Sequence, residues 1–130
     1  MTPNHHRLNI LVVDDEAPIR RLLPVLFQRA GHSAQVASNG ADALTLVSDT
    51  SRHFDVVVTD HDMPVLRGDE LVGRLSSNGF EGAIFVCSAF LTPDLTSHYL
   101  RLGARECFSK PVPWEDLRNR VEEIAESGTA

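Results

Sequence analysis

Three short apolar runs, each rich in β-branched residues and too short to form a helix, constrain the fold of this chain most strongly. They occupy residues 8–13 (LNILVV), 54–59 (FDVVVT) and 83–87 (AIFVC). Continuous apolar runs of this length are typical of strands that are buried on both faces of a sheet. Two weaker candidates, residues 33–37 and 106–108, complete a set of five predicted strands.

The segments between these runs have the periodicity of amphipathic helices. The clearest follows the first strand, where apolar residues recur at helical spacing from Ile19 to Ala30. Three shorter segments follow the next three strands, and a fifth helix begins near Trp114. Because parallel strands need crossover connections, strands that alternate with helices imply a parallel sheet covered on both faces. We therefore predict an α/β fold, a doubly wound (βα)5 domain with a five-stranded parallel sheet.

Size and charge exclude several classes of function. The 130 residues predict a single domain over residues 1–130, with a core of about 8–126, since domains commonly have about 100 to 200 residues. A net charge of −6 disfavours binding of a nucleic acid by this chain. There is no apolar run of membrane-spanning length and no apolar secretion signal. We expect a cytoplasmic protein without membrane contact, in which Cys87 and Cys107 are buried, reduced thiols.

The residues at the ends of the predicted strands carry the chemistry, because ligands of open parallel sheets bind beyond the carboxyl ends of the strands. The first strand runs into Asp14 and Asp15, the third into Asp60, the fourth into Ser88 and the fifth into Lys110. Three carboxylates at one edge repel one another, and a hard divalent cation such as Mg²⁺ would remove that repulsion. Together with Lys110 the cation would cancel the three negative charges. Such a site could admit a phosphoryl group while a carboxylate attacks it.

These residues also have simpler interpretations. Asp14 and Asp15 could cap the first helix. Ser88 could be an ordinary serine at a strand end, and Lys110 could be a solvated lysine before a proline turn. A different function is suggested by Asp60 and Asp62, which resemble the Asp-x-Asp motif of haloacid-dehalogenase-type phosphatases. That motif normally ends the first strand, whereas here it follows the third. An interaction module with a degenerate site is a further alternative. Against it stands the complete set of Asp14, Asp15, Asp60, Ser88 and Lys110.

Five pieces of sequence occur in a fixed order along the chain. They are VVDDE at 12–16, NGADAL at 39–44, VTDHDMP at 58–64 with Gly68, SA at 88–89 and GARECFSKP at 103–111. In this order and spacing they resemble the response-regulator receiver domains of two-component signalling, over essentially the whole folded length. The resemblance implies a flavodoxin-like, CheY-like fold with strand order 2-1-3-4-5.

The resemblance also implies a phosphoryl acceptor and a metal site. Asp60 would take a phosphoryl group from a phosphohistidine on a sensor histidine kinase or a histidine phosphotransfer protein. Asp15 would bind Mg²⁺, or Mn²⁺ in its place, directly, and Asp14 would act through water. Asp60 and the backbone carbonyl of Asp62 would complete the protein ligands.

Two further residues would act on the phosphoryl group, as the resemblance implies. Lys110 would hold the oxygen opposite the metal, and Ser88 would move toward the new phosphate. The surface around strands 4 and 5 and helix 4 would then switch its conformation, and an unknown downstream protein would bind it. The family usually has a cis peptide bond at the position of Lys110 and Pro111. It also usually has a large side chain, which turns inward on activation, at the position of Cys107.

A receiver of this kind is a signalling protein that catalyses only its own phosphorylation and dephosphorylation, so the resemblance implies no enzyme. No effector domain follows the fifth predicted helix. We therefore expect a stand-alone receiver rather than one excised from a longer response regulator or hybrid kinase.

Overall fold

Strands and helices alternate along the whole of the chain that the computed structural model describes, residues 7–127, with side chains to residue 124. The elements are β1 (Asn9–Val13), α1 (Ala17–Arg29), β2 (Ser33–Ala37), α2 (Gly40–Ser48), β3 (Val56–Asp60), α3 (Gly68–Ser77), β4 (Ala83–Ser88), α4 (Pro93–Leu102), β5 (Glu106–Ser109) and α5 (Trp114–Ser127). The strands form one parallel sheet in the order β2-β1-β3-β4-β5. This confirms the predicted fold class and strand order. The predicted single domain extends at both ends beyond the described residues.

Three predicted strand ends were one residue too early. Asp60 is the last residue of β3, Ser88 of β4 and Ser109 of β5. The pairing of Asp60 with Cys87 continues the β3–β4 ladder to the edge of the sheet. The side chains of Asp60 and Ser88 are therefore fixed by a strand rather than carried by a loop.

The sheet separates two apolar clusters, because successive residues of a strand point to opposite faces. In β1, Leu11 and Val13 belong to the cluster that includes residues of α2, α3 and α4. Ile10 and Val12 belong to the cluster under α1 and α5, where Phe27 packs edge-to-face against Trp114 with ring centroids 4.6 Å apart. In the described part of the chain, none of the helices combines the length and apolar character that crossing a bilayer requires.

Helix α4 is fixed at both ends. The Thr92 hydroxyl accepts a hydrogen bond from the Leu95 N–H, and Pro93 occupies the first turn, where its missing N–H costs nothing. Gly103 ends the helix in the left-handed region, with a φ of 115°. The Ser76 hydroxyl on α3 donates to the Leu102 carbonyl at 2.7 Å. The carboxyl end of α4 is thus tied to α3.

Candidate functional site

Three aspartates meet at the carboxyl edge of the sheet. Strands β1 and β3 are neighbours whose ends lie side by side, with Val13 opposite Thr59. One carboxylate oxygen from each of Asp14, Asp15 and Asp60 lies within 4.8 Å of the others. Asp14 and Asp60 are buried, and Asp15 is exposed. The convergence that the strand-end argument predicts is present.

Lys110 neutralises much of this charge. Its Nζ lies 3.0 Å from Asp14 Oδ2, 3.0 Å from Glu16 Oε2 and 3.4 Å from Asp60 Oδ1. Burial by itself would lower the pKa of Lys110, but hydrogen bonds to Asp14 and Glu16 outweigh it and raise the pKa above its ordinary value. The interpretation of Lys110 as a solvated lysine is therefore wrong. The peptide bond between Lys110 and Pro111 is cis, as the resemblance implies.

Asp60 is a buried carboxylate whose charged neighbours shift its pKa in opposite directions. Its Oδ1 accepts a hydrogen bond from the His61 backbone N–H at 2.8 Å. Burial raises the pKa of Asp60 to about 6; Lys110 opposes this shift, and the charge of Asp14 adds to it. The negative charge of the site is thus poorly solvated by its surroundings. This condition favours the binding of a hard cation.

The alternative interpretation of Asp14 as the cap of the first helix is wrong. The N-cap residue of α1 is Glu16, and Asp14 Oδ1 accepts the Glu16 backbone N–H at 2.9 Å, which orders the turn before the helix. Asp14 Oδ2 accepts a hydrogen bond from Lys110 Nζ at 3.0 Å. Arg20 donates to the Asp14 carbonyl at 2.9 Å. Glu16 and Arg20 were not predicted as site residues, although Glu16 directly follows the aspartate pair.

Ser88 and Asp62 lie beside this cluster in different environments. Ser88 is buried, and its hydroxyl accepts the Phe90 N–H at 3.2 Å. The side chain of Asp62 is exposed, so only its backbone is a candidate ligand. Cys87, which pairs with Asp60 in the β3–β4 ladder, is not a reactive thiol, because burial raises its pKa to about 12. Cys107 is half-buried, so the prediction that both cysteines are buried is wrong for this one.

On the other side of Asp60 lies an aromatic pair that the sequence analysis did not find. The Tyr99 hydroxyl of α4 lies 2.5 Å from His61 Nδ1, with the two rings nearly perpendicular at 83°. Tyr99 is completely buried. The only signal in the sequence was its place in the apolar stripe of the fourth helix, which indicates burial but does not identify a polar partner.

Two cavities differ in their relation to these residues. A cavity of about 150 Å³, walled mostly by apolar side chains of α1, α5 and the adjacent strands β1 and β3, reaches Asp60 and Lys110. A larger one, about 750 Å³, lies near Phe54 and Phe80 and is lined by none of the predicted site residues. The smaller cavity is the one relevant to chemistry, because it alone of the two reaches the charged cluster.

Known proteins resemble this chain over nearly its full length. The family model of the response regulator receiver domain matches residues 10–122. Sporulation initiation phosphotransferase F of Bacillus subtilis is 31% identical over 87% of this chain and 90% of its own length. The sensor histidine kinase AruS of Pseudomonas aeruginosa is 31% identical over 92% of this chain, which spans only 12% of that protein. The receiver domain of the Francisella response regulator 1452 superposes with a TM-score of 0.88, at 26% identity, over 94% of this chain and 99% of its own.

The chain belongs to the response-regulator receiver domains of two-component systems. Its relatives include both a protein of similar length and the receiver portions of much longer histidine kinases. The comparisons give no support to the phosphatase alternative, in which Asp60 and Asp62 would form an Asp-x-Asp motif.

Proposed function

We propose that Asp60 is the residue on which this receiver carries its phosphoryl group. The observation that carries the proposal is the position of its carboxylate, buried at the end of β3 and within ion-pair distance of Lys110. Lys110 is the only lysine of the chain, and Asp14 and Asp15 lie on the adjacent strand end. The phosphoryl donor is a phosphohistidine on a sensor histidine kinase or a histidine phosphotransfer protein.

Mg²⁺, or Mn²⁺, fits the donor set at this edge. Three carboxylates whose oxygens lie within 4.8 Å of one another are hard ligands, and the raised pKa of Asp60 reflects the burial of its own carboxylate. Asp15 would hold the cation directly and Asp14 through water, with Asp60 and the Asp62 carbonyl as further ligands. A bound divalent cation supplies charge neutralisation between the carboxylate and the phosphoryl donor.

Asp60, Lys110 and Ser88 have separate roles in the phosphoryl transfer. A carboxylate oxygen of Asp60 attacks the phosphorus, the phosphorus–nitrogen bond of the phosphohistidine breaks, and the imidazole leaves with the bonding electron pair. Lys110, now bonded to Asp14 and Glu16, donates instead to a phosphoryl oxygen. The Ser88 hydroxyl moves to another phosphoryl oxygen. Hydrolysis of the acyl phosphate returns Asp60 to its starting state, so the chain catalyses only its own modification.

Partners and location follow from the same proposal. A downstream protein would bind the surface around β4, β5 and α4 once that surface has switched. The net charge of −6 argues against a nucleic-acid partner. Cys87 and Cys107 are free, which fits a reducing compartment such as the cytoplasm. We extend the receiver domain to the whole chain, residues 1–130.

The proposal is tested by treating the protein with acetyl phosphate and Mg²⁺ and measuring intact mass. The wild type should gain one phosphate, and removal of divalent ions by EDTA should prevent this. Asp60→Asn should gain none. Asp49→Asn, which alters an exposed carboxylate after α2, should behave as the wild type. The same stoichiometry in Asp60→Asn would overturn the assignment.

A further inference from the structure

Two hydrogen bonds connect helix α4 to the carboxylate of Asp60. The Tyr99 hydroxyl is 2.5 Å from Nδ1 of His61, and the backbone N–H of His61 donates to Asp60 Oδ1 at 2.8 Å. Burial raises the pKa of Tyr99, so its phenol stays protonated beside the imidazole. A side chain in the middle of α4 thus contacts the residue next to the proposed phosphorylation site.

This connection has little free space around it. A Cβ on Gly68 would lie 2.4 Å from the Asp60 carbonyl oxygen, 2.6 Å from the Tyr99 hydroxyl and 2.9 Å from His61 Cα. The Gly68 N–H also donates to the His61 carbonyl at 2.9 Å. Because close-packed groups transmit displacement, a change in the backbone at His61 must be accommodated by Tyr99 or by the start of α3.

The aromatic bulk in this region comes from α4 rather than from β5. Cys107 of β5 packs against the apolar cluster that contains Tyr99, and a thiol offers much less volume than a phenol ring. Tyr99 has no exposed surface. The ring that would have to move if α4 responds to Asp60 is therefore that of Tyr99.

We propose that Tyr99 is a positioning residue that couples the state of Asp60 to the position of α4 through His61. The proposal rests on the proposed phosphorylation of Asp60. Formation of the acyl phosphate lowers the charge on the carboxylate that accepts the His61 N–H, so the hydrogen bond from His61 to Asp60 Oδ1 weakens in favour of one to a phosphoryl oxygen. His61 then shifts, and its ring carries the shift to the Tyr99 hydroxyl.

The test compares amide chemical shifts with and without beryllofluoride and Mg²⁺, a mimic of the phosphoryl group. In the wild type the amides of residues 94–102 should change. In Tyr99→Phe, which keeps the ring and loses the hydroxyl, these changes should fall to less than about half. Ser76→Ala is the matched control, because it also removes one hydroxyl hydrogen bond to α4, at the end far from Asp60. It should keep the full response.

Binding of the mimic is measured separately by the ¹⁹F signal of bound beryllofluoride. If the wild type shows no bound signal, the proposed function fails. If Tyr99→Phe binds the mimic and α4 responds as in the wild type, the coupling role of Tyr99 is overturned and the proposed function stands. Loss of binding in Tyr99→Phe would also overturn the coupling role.

A second variant keeps the proposal falsifiable should Tyr99→Phe alter the fold. His61→Phe removes the imidazole nitrogen that is hydrogen-bonded to the Tyr99 hydroxyl while retaining the backbone N–H, and it should reduce the response of α4 as Tyr99→Phe does. Combining the two substitutions should give no further reduction, because both break the same bond. Independent, additive losses would contradict the coupling.

Discussion

Asp60 has two dissimilar flanks. The charged flank consists of Asp14, Asp15 and Lys110. Lys110 Nζ lies at ion-pair distance from Asp14 and Asp60, and one carboxylate oxygen of Asp15 lies within 4.8 Å of oxygens of both aspartates. The aromatic flank consists of His61 and Tyr99, whose rings meet edge-to-face with centroids 5.5 Å apart. Residues of the charged flank come from strand ends and the turns that follow them, whereas Tyr99 comes from the middle of a helix. The comparison indicates that the sheet edge supplies the chemistry and that helix packing supplies the response.

The largest effect on the free energy of unfolding is expected from a substitution of Gly68, which contacts both Asp60 and the aromatic flank. Gly68→Ala should lower the free energy of unfolding by about 3 kcal/mol, since its Cβ would overlap backbone and side-chain atoms that cannot all move away. Urea denaturation followed by circular dichroism measures this change.

Gly73→Ala in the same helix is the matched control for that substitution. A Cβ at Gly73 would meet only Leu102 Cδ2, at 3.8 Å. The change should be neutral or stabilise the protein by up to about 1 kcal/mol, because alanine favours a helix interior more than glycine does. If Gly68→Ala and Gly73→Ala lowered the free energy of unfolding equally, the packing around the aromatic flank would not be tight.

The charged flank could be predicted because it depends on few physical facts. The apolar runs locate the strands, parallel strands bring their carboxyl ends to one edge, and the charged residues stand at those ends. An error of one residue in the end of β3 did not move Asp60 away from that edge. The ion pair of Lys110 with Glu16 was missed because it depends on the path of the turn into α1.

The aromatic flank could not be predicted in the same way. The apolar stripe of α4 indicates that Tyr99 faces the core, and the structure confirms its burial. Which polar atom its hydroxyl meets depends on the rotation of α4 and on the close approach of Gly68. Neither quantity is set by residues adjacent in sequence. The backbone after β3 places His61 half-buried against Tyr99.

The burial of the charge on Asp60 should have a smaller effect on the free energy of unfolding than Gly68→Ala. Its folded-state pKa of about 6 lies above the ordinary value of 3.8, so the folded protein binds more protons than the unfolded protein between these values. Stability therefore falls as pH rises through this interval, and the cost is complete above pH 6 or so. Without divalent ions, Asp60→Asn should be more stable than the wild type at pH 7.5 by about 1 to 2 kcal/mol.

That difference should shrink toward pH 4, where the wild-type carboxyl is itself mostly protonated in the folded state. Denaturant titrations of both proteins at the two pH values, in EDTA, measure it. Saturating Mg²⁺ should also reduce the difference at pH 7.5, because the ion stabilises the protein that binds it. A difference that does not vary with pH would exclude the titration of Asp60 as its cause.

The division between the two flanks is tested most directly by one rate, that of phosphate incorporation from acetyl phosphate at a fixed, subsaturating Mg²⁺ concentration. Asp15→Asn changes the exposed carboxylate of the charged flank, and Tyr99→Phe changes the hydroxyl of the aromatic flank. The account predicts that Asp15→Asn slows incorporation at least about tenfold, a loss of about 1.4 kcal/mol in transition-state stabilisation, while Tyr99→Phe stays within about threefold of the wild type. Equal slowing in both variants, or the reverse order, would contradict it.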